Sequence, residues 1–206
     1  MKRADLVVGP NGAGKSTFVA LTLGPLLPRS VFVNADEIAK QRWPDDSAGH
    51  AYDAALVAAE TRDRLIELGR SFIAETVFSH PSKLDLIRTS HAHGYTVVLH
   101  MVLVPEDLAV ERVKHRVMAG GHDVPEDKIR ERHRRLWGLV ATAMTLADNA
   151  TAYDNSRRKA PATSPPVHST CLVFRRGSGK PMTNRSAACW RPTQRRRSPP
   201  PSRNSS

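Results

Sequence analysis

Only two cysteines, Cys171 and Cys189, occur in 206 residues, and neither stands at a metal-ligand spacing. A disulfide framework and a cysteine-built metal centre are excluded, and a reduced, cytoplasmic setting is expected. Long apolar runs are missing as well. The longest, Tyr95 to Val104, is ten residues and carries His100, about half the length a membrane-spanning helix requires. Met1-Lys2-Arg3 resembles the start of a signal peptide, but the apolar stretch behind it breaks at Gly9-Pro10, so neither export nor membrane insertion is expected.

Acidic residues are absent after Asp154. From Arg157 onward there are 12 Lys and Arg, eight prolines and no Asp or Glu, which leaves 19 basic residues beside all 20 acidic ones in residues 1–156. The net charge of +11 therefore belongs entirely to the end of the chain. Such an excess ordinarily suggests a nucleic-acid partner, but for the nearly neutral first part none is expected. Residues 157–206 are too poor in apolar periodicity to offset their ordering entropy, so a disordered basic tail is expected beyond a 1–156 domain. Two origins for that tail compete. A shift of reading frame near residues 157–165 explains the sudden loss of acids; a genuine arm would use Arg195-Arg196-Arg197 to bind nucleic acid or an anionic surface.

Up to about residue 150, short apolar runs alternate with longer helical ones, the pattern of an α/β domain with a mainly parallel sheet. Strands are expected at Asp5–Val8, Val31–Asn34, Ser71–Ala74, Tyr95–Val104 and, more weakly, Ala150–Tyr153. Helices are expected to begin at Lys15 and near Ser47, Pro81, Glu106 and Glu126. Tyr52, Ala55, Leu56, Ala59 and Ile66 share one face of the second helix and are expected to face the core; Ile129, Leu136, Val140 and Ala147 form the matching stripe of the last. Gly69 and Gly94 suit left-handed helix ends, and Asp123 before Glu126 suits a capping box.

One motif carries chemistry outright. Gly9, Pro10, Asn11, Gly12, Ala13, Gly14, Lys15, Ser16 and Thr17 follow the apolar run Leu6-Val7-Val8 and fit G-x-x-x-x-G-K-[ST]. The glycines let the backbone leave a strand sharply and turn its N–H groups toward an anion, at the positive end of the helix beginning near Lys15. Lys15 supplies a mobile charge for the β- and γ-phosphates, and the Ser16 hydroxyl suits Mg²⁺. The chain is expected to bind a nucleoside triphosphate, with ATP and Mg²⁺ as cofactors.

The motif alone does not choose a reaction. Transporter-type ATPases also carry Leu-Ser-Gly-Gly-Gln, and GTPases Asn-Lys-x-Asp; neither string occurs, and the chain is short for an AAA module. From Val33-Asn34-Ala35-Asp36-Glu37-Ile38-Ala39 onward the sequence resembles the zeta-toxin family of phosphate-loop kinases. The resemblance continues through Phe72-Ile73-Ala74-Glu75-Thr76, Arg112 to Arg116, Gly120 to Pro125, Ile129 to Arg135 and Tyr153-Asp154-Asn155-Ser156, in the family's order. It implies a three-layer P-loop sandwich with a helical lid, transfer of the γ-phosphoryl of ATP to a hydroxyl of a small molecule such as a UDP-linked amino sugar, and an antitoxin as a candidate partner. Two other readings stand beside it: a nucleic-acid-associated NTPase that uses the basic tail, and an inactive ATP-binding relative.

The site residues follow from both sources. Asp36, expected at the end of the second strand, suits a catalytic base, a metal ligand beside Ser16, or simply a helix N-cap. Glu75 ends the third strand on the same edge, and with Thr76 the resemblance makes it a substrate-side residue. Arg112 and Arg116 stand four apart on one helix face, ahead of a Gly120-Gly121 hinge, with Arg132 and Arg135 beyond it. They suit a lid over the phosphates, or a solvated basic face. Arg116 is assigned to catalysis, Arg112 and Arg132 to substrate. His122, in the hinge, suits a phosphate contact or a turn. His91 and His93 read as a solvated helix end rather than a metal pair.

Overall fold

A computed structural model describes residues 2–118 and 124–156, together with the backbone of residues 171–175. Five parallel strands form the centre: β1 (Arg3–Val8), β2 (Val31–Val33), β3 (Phe72–Thr76), β4 (Thr96–Leu103) and β5 (Asn149–Asp154). A sixth, β6 (Cys171–Arg175), pairs antiparallel with β5, and the sheet order is β2-β3-β1-β4-β5-β6. All five expected strands are present, within a residue or two at each end. The sixth lies in the segment for which no strand was expected; its apolar run Cys171-Leu172-Val173-Phe174 is the signal. The remainder of 157–206 lies outside the described residues.

The helix behind the phosphate loop runs from α1 (Lys15–Phe18) through a π-turn at Val19–Leu23 into α2 (Gly24–Leu26). Then come α3 (Ala35–Arg42), α4 (Ala51–Glu67), α5 (Ser82–Ala92), α6 (Glu106–Met118) and α7 (Glu126–Leu146). Strand alternation divides the core. Leu6 and Val8 of β1 join Phe72, Leu99 and Ala150 on one face, covered by Ile87 of α5 and Leu136 and Val140 of α7. Val7 joins Ile73 and Val102 on the other, beneath Phe18, Val19, Leu23 and Ala109. Two-sided burial is why these strands read as continuous apolar runs.

One expectation about a helix face needs correcting. In α4 the buried residues are Ala54, Ala58, Arg62 and Ile66, whereas Tyr52 is 75% and Leu56 46% exposed. Helix α4 packs on α3, and small alanines allow the close approach that larger side chains would block. In α7 the stripe holds, with Ile129, Leu136, Val140 and Ala147 buried and Ala143 added. Gly69 and Gly94 do adopt left-handed φ values of 66° and 75°. Asp123 lies outside the described residues.

Polar groups are buried in the second core. Asp5 is fully buried, receives two 2.7 Å hydrogen bonds from Arg3 and sits 2.8 Å from His100 Nε2; His100 Nδ1 is 3.3 Å from the Tyr153 hydroxyl. This chain ties β1, β4 and β5 together across their paired registers.

Candidate active site

The parallel order reverses direction next to β1, and α/β sheets take ligands outside the strand carboxyl ends at such a point. The start of the phosphate loop and the carboxyl end of β3 meet there. Val7 pairs with Glu75 and Val8 with Thr76, so β3 delivers its carboxylate directly beside the start of the phosphate loop.

The loop needs its glycines for space. A Cβ at Gly12 would sit 2.5 Å from the Ala109 carbonyl oxygen, and its φ of 72° is one that side-chain-bearing residues rarely adopt. At Gly14, with φ of 87°, an added Cβ would lie 2.8 Å from Asn155 Nδ2. That amide donates to the Ala13 carbonyl at 2.8 Å, and Asn155 N–H donates to the Leu103 carbonyl. The end of β5 thus tethers the phosphate loop. Asn155→Ala is expected to raise the KM for ATP about tenfold with little change in kcat at saturation, since one lost backbone contact costs about 1 kcal/mol or more at a ligand-shaping loop. Steady-state kinetics at varied ATP checks this; an unchanged KM would show that the tether does not shape the loop.

Lys15 is 7% exposed and donates to the Pro10 carbonyl at 3.0 Å, and its ammonium lies 3.8 Å from Glu75 Oε1. Glu75 accepts from the Ser16 hydroxyl at 3.1 Å and from Asn34 Nδ2 at 2.7 Å. Burial pushes the Glu75 carboxyl above its usual range, against Lys15 and the Ser16 and Asn34 hydrogen bonds, while the negative charge of Asp36 adds to the rise. Burial likewise holds Lys15 below the usual lysine range; Glu75 and Asp36 oppose this, and the positive charge of Arg116 reinforces it. Arg116 and Asp36 are thus both electrostatically coupled to Lys15.

Asp36 does not end a strand. It stands exposed in the first turn of α3, and Asn34 is the residue that caps this helix, its Oδ1 accepting from the N–H groups of Asp36 at 2.8 Å and Glu37 at 3.4 Å. The N-cap alternative for Asp36 is therefore replaced, and its carboxylate is left for other work. Asn34 was missed although a signal existed, since Asn34-Ala35-Asp36-Glu37 fits the capping pattern of a polar cap with Glu three residues on. The carboxylate beside Ser16 is Glu75; Asp36 influences the cluster through its charge.

The remaining residues divide. Thr76 Oγ1 accepts from Phe78 N–H, in a turn where Phe78 is buried at a φ of 62°. Arg112 and Arg116 lie on α6 as expected, and burial lowers Arg112 from the ordinary arginine range, against the charge of Glu111. Arg132 is half-buried on α7, and Arg135 pairs with Glu131 at 2.8 Å on that helix. Arg130, assigned no role from sequence, bonds Glu106, Asp107 and Glu126 at 2.8–3.0 Å and latches α7 to α6. His122 and Gly120-Gly121 lie outside the described residues. His91 bonds Asp148 and His93 the Thr89 carbonyl, as structural residues. Among the described residues no group of three metal-binding side chains occurs, and no helix is long and apolar enough to cross a membrane.

The family model of the zeta toxin matches residues 1–160. No curated protein matches the chain. Among solved structures, the PezAT chromosomal toxin–antitoxin system of Streptococcus pneumoniae aligns with a TM-score of 0.59 at 16% identity, over 77% of this chain and 70% of that one. A candidate kinase of Chloroflexus aurantiacus gives 0.51 at 20% identity, over 64% and 76%. The AvrRxo1-ORF1:-ORF2 complex with ATP gives 0.53 at 13% identity, over 76% and 55%.

Proposed function

Because the chain belongs to the zeta-toxin family, we propose that it is an ATP-dependent kinase that transfers the γ-phosphoryl group to a hydroxyl of a small molecule, with the sugar of a UDP-linked amino sugar as the first acceptor to test. The observation that carries this reading is the cluster at the loop mouth, where buried Lys15 meets a Glu75 carboxylate shared by Ser16 and Asn34. The Glu75 carboxylate at the loop mouth, with the charge of Asp36 acting on it, supports an acceptor hydroxyl at the γ-phosphate end.

The residues fit the cofactors. The loop backbone and Lys15 suit the phosphates. The Ser16 hydroxyl and the Glu75 oxygen 3.1 Å from it are the hard oxygen donors Mg²⁺ prefers, and few protein ligands are needed for an ion held largely by phosphates and water. ATP supplies the phosphoryl group, and Mg²⁺ neutralises its developing charge. Lys15 holds the transferred oxygens, and Asn34 orients Glu75. Asp36 takes the proton of the attacking hydroxyl. Arg116 closes over the phosphates with α6 and excludes water. An antitoxin partner is proposed from the toxin–antitoxin relatives, and the cytoplasm as the place of action.

The test is phosphate transfer from ATP to a panel of acceptors that includes UDP-sugars, with products identified by mass. In that assay Asp36→Asn is expected to lower kcat about 10²- to 10⁴-fold, the range of a lost general base, with ATP affinity within about threefold. Full activity in that variant would place the base elsewhere; ADP and free phosphate as sole products would contradict the kinase reading.

A further inference from the structure

The buried chain that runs from Arg3 through Asp5 and His100 ends at Tyr153, and Tyr153 reaches the phosphate loop. Its ring lies 4.5 Å from that of Phe18, centre to centre and tilted by 47°, and Phe18 is fully buried. Phe18 stands two residues beyond Ser16, and its N–H donates to the Gly14 carbonyl at 2.9 Å, closing the helical turn that carries Lys15 and Ser16. Asn155, two positions further along the same strand direction, grips the Ala13 carbonyl. Side chains two apart on an extended strand share a face. The end of β5 therefore holds the loop on both sides of Lys15 and Ser16. We propose that Tyr153 is a positioning residue for ATP binding: its ring seats Phe18 and with it the turn bearing Lys15 and Ser16, and the His100–Asp5 pair fixes where that ring stands. The proposal rests on the phosphate loop binding ATP and not on the identity of the acceptor.

Three observations support it. Asp5 accepts both bonds from Arg3 and, as a carboxylate, has no hydrogen to give His100, so His100 Nε2 carries the hydrogen of their 2.8 Å bond. In the neutral imidazole Nδ1 is then left to accept, and the Tyr153 hydroxyl 3.3 Å away is the donor. Each partner is thus assigned one role, and a satisfied buried chain of this kind fixes a single arrangement. His100 also lies against both rings, 5.8 Å from Phe18 and 6.0 Å from Tyr153, so in a close-packed core a shift of one of the three displaces the others. Finally, the ring needs pinning. Tyr153 is only half-buried, whereas Phe18 and Ala13 are fully buried in the core cluster it packs against. A phenylalanine at this position would fill the same space but leave its tilt free and His100 Nδ1 without its donor.

Binding of a non-hydrolysable ATP analogue with Mg²⁺, measured by calorimetry on the full chain, tests this. Tyr153→Phe is expected to raise its Kd about fivefold, the size of one lost neutral hydrogen bond, and Tyr153→Leu about tenfold or more. In phosphate transfer, Tyr153→Phe should raise the KM for ATP in the same proportion and leave kcat at saturation within about twofold. In a Phe18→Leu background the effect of Tyr153→Phe should fall below about 1.5-fold, because the ring it seats is gone. Asp148→Ala is the control for stability alone. It removes the acceptor of Val97 N–H and the partner of His91 ahead of the opposite end of β5, and should lower stability in urea without moving the Kd. The proposal is overturned by an unchanged Kd in both Tyr153 variants, by an equal rise in Asp148→Ala, or by the same rise with and without Phe18. No binding by the parent overturns the ATP premise and the proposal with it. Binding without phosphate transfer overturns the kinase reading alone, and the Kd series still decides the role of Tyr153.

Discussion

Replacing Lys15 by alanine is expected to lower kcat for phosphoryl transfer about 10²- to 10³-fold, the loss typical when one pre-organised donor to transition-state charge is removed. The ammonium is anchored on the Pro10 carbonyl at 3.0 Å and shielded from water, so its direction is fixed before any substrate arrives. Stability should respond as well, and in a pH-dependent way. Glu75, already raised by burial, loses the cation 3.8 Å away and rises further, keeping only the donors Ser16 and Asn34. A carboxyl whose folded pKa lies above its unfolded value adds no cost below the unfolded value of about 4.3 and an increasing cost as pH rises through the folded one. The Tm of Lys15→Ala relative to the parent should therefore fall as pH rises from acid toward neutrality, on top of a pH-independent gain from no longer burying the ammonium. Activity within twofold of the parent would remove Lys15 from the transfer step; a Tm difference independent of pH would break the assigned coupling to Glu75.

The largest expected stability effect lies away from the site. Asp5→Asn should cost about 3 kcal/mol at neutral pH, the lower end of the range for breaking a buried charge pair, because Arg3 keeps partial access to water. The carboxylate is fully buried and accepts from Arg3 on both oxygens, with His100 2.8 Å from one of them. An asparagine presents an N–H₂ where one of those donors points. Burial opposes the charged form, but the His100 and Arg3 interactions outweigh it, so the Asp5 pKa is lowered. That contribution is complete above the unfolded value of about 3.9 and is lost as pH falls through the folded one. Urea unfolding of both proteins at pH 7 and in acid measures it. The gap should narrow in acid; a gap below about 0.5 kcal/mol at pH 7 would mean that the pair is not worth its burial.

How far these features could be read in the sequence depends on separation along the chain. The phosphate loop, the parallel strands and the placement of Glu75 follow from local patterns, because runs such as Leu6-Val7-Val8 and Phe72-Ile73-Ala74 are buried on both faces. Helix α4 was legible as a helix and not as a face. Hydropathy favours Tyr52 and Leu56, whereas its packing on α3 is decided by size and turns Ala54 and Ala58 inward. The Asn34 cap was within reach of a local rule. Arg130 was not, since in a run of arginines nothing local marks the one that meets Glu106 and Asp107 from another helix. The Asp5–His100–Tyr153 chain is equally hidden, for it exists only once three strands lie in register.

The Asn155 tether also sets an order of events during synthesis. The phosphate loop leaves the ribosome first, but its partner amide follows 142 positions later, a delay of roughly 10–30 s at ordinary elongation rates. Until β5 docks beside β4, the Ala13 carbonyl has no Asn155 to accept from, and β4 lacks the neighbour that completes its edge. The tether therefore forms late in the life of the nascent chain, after every other strand of the parallel sheet has been made.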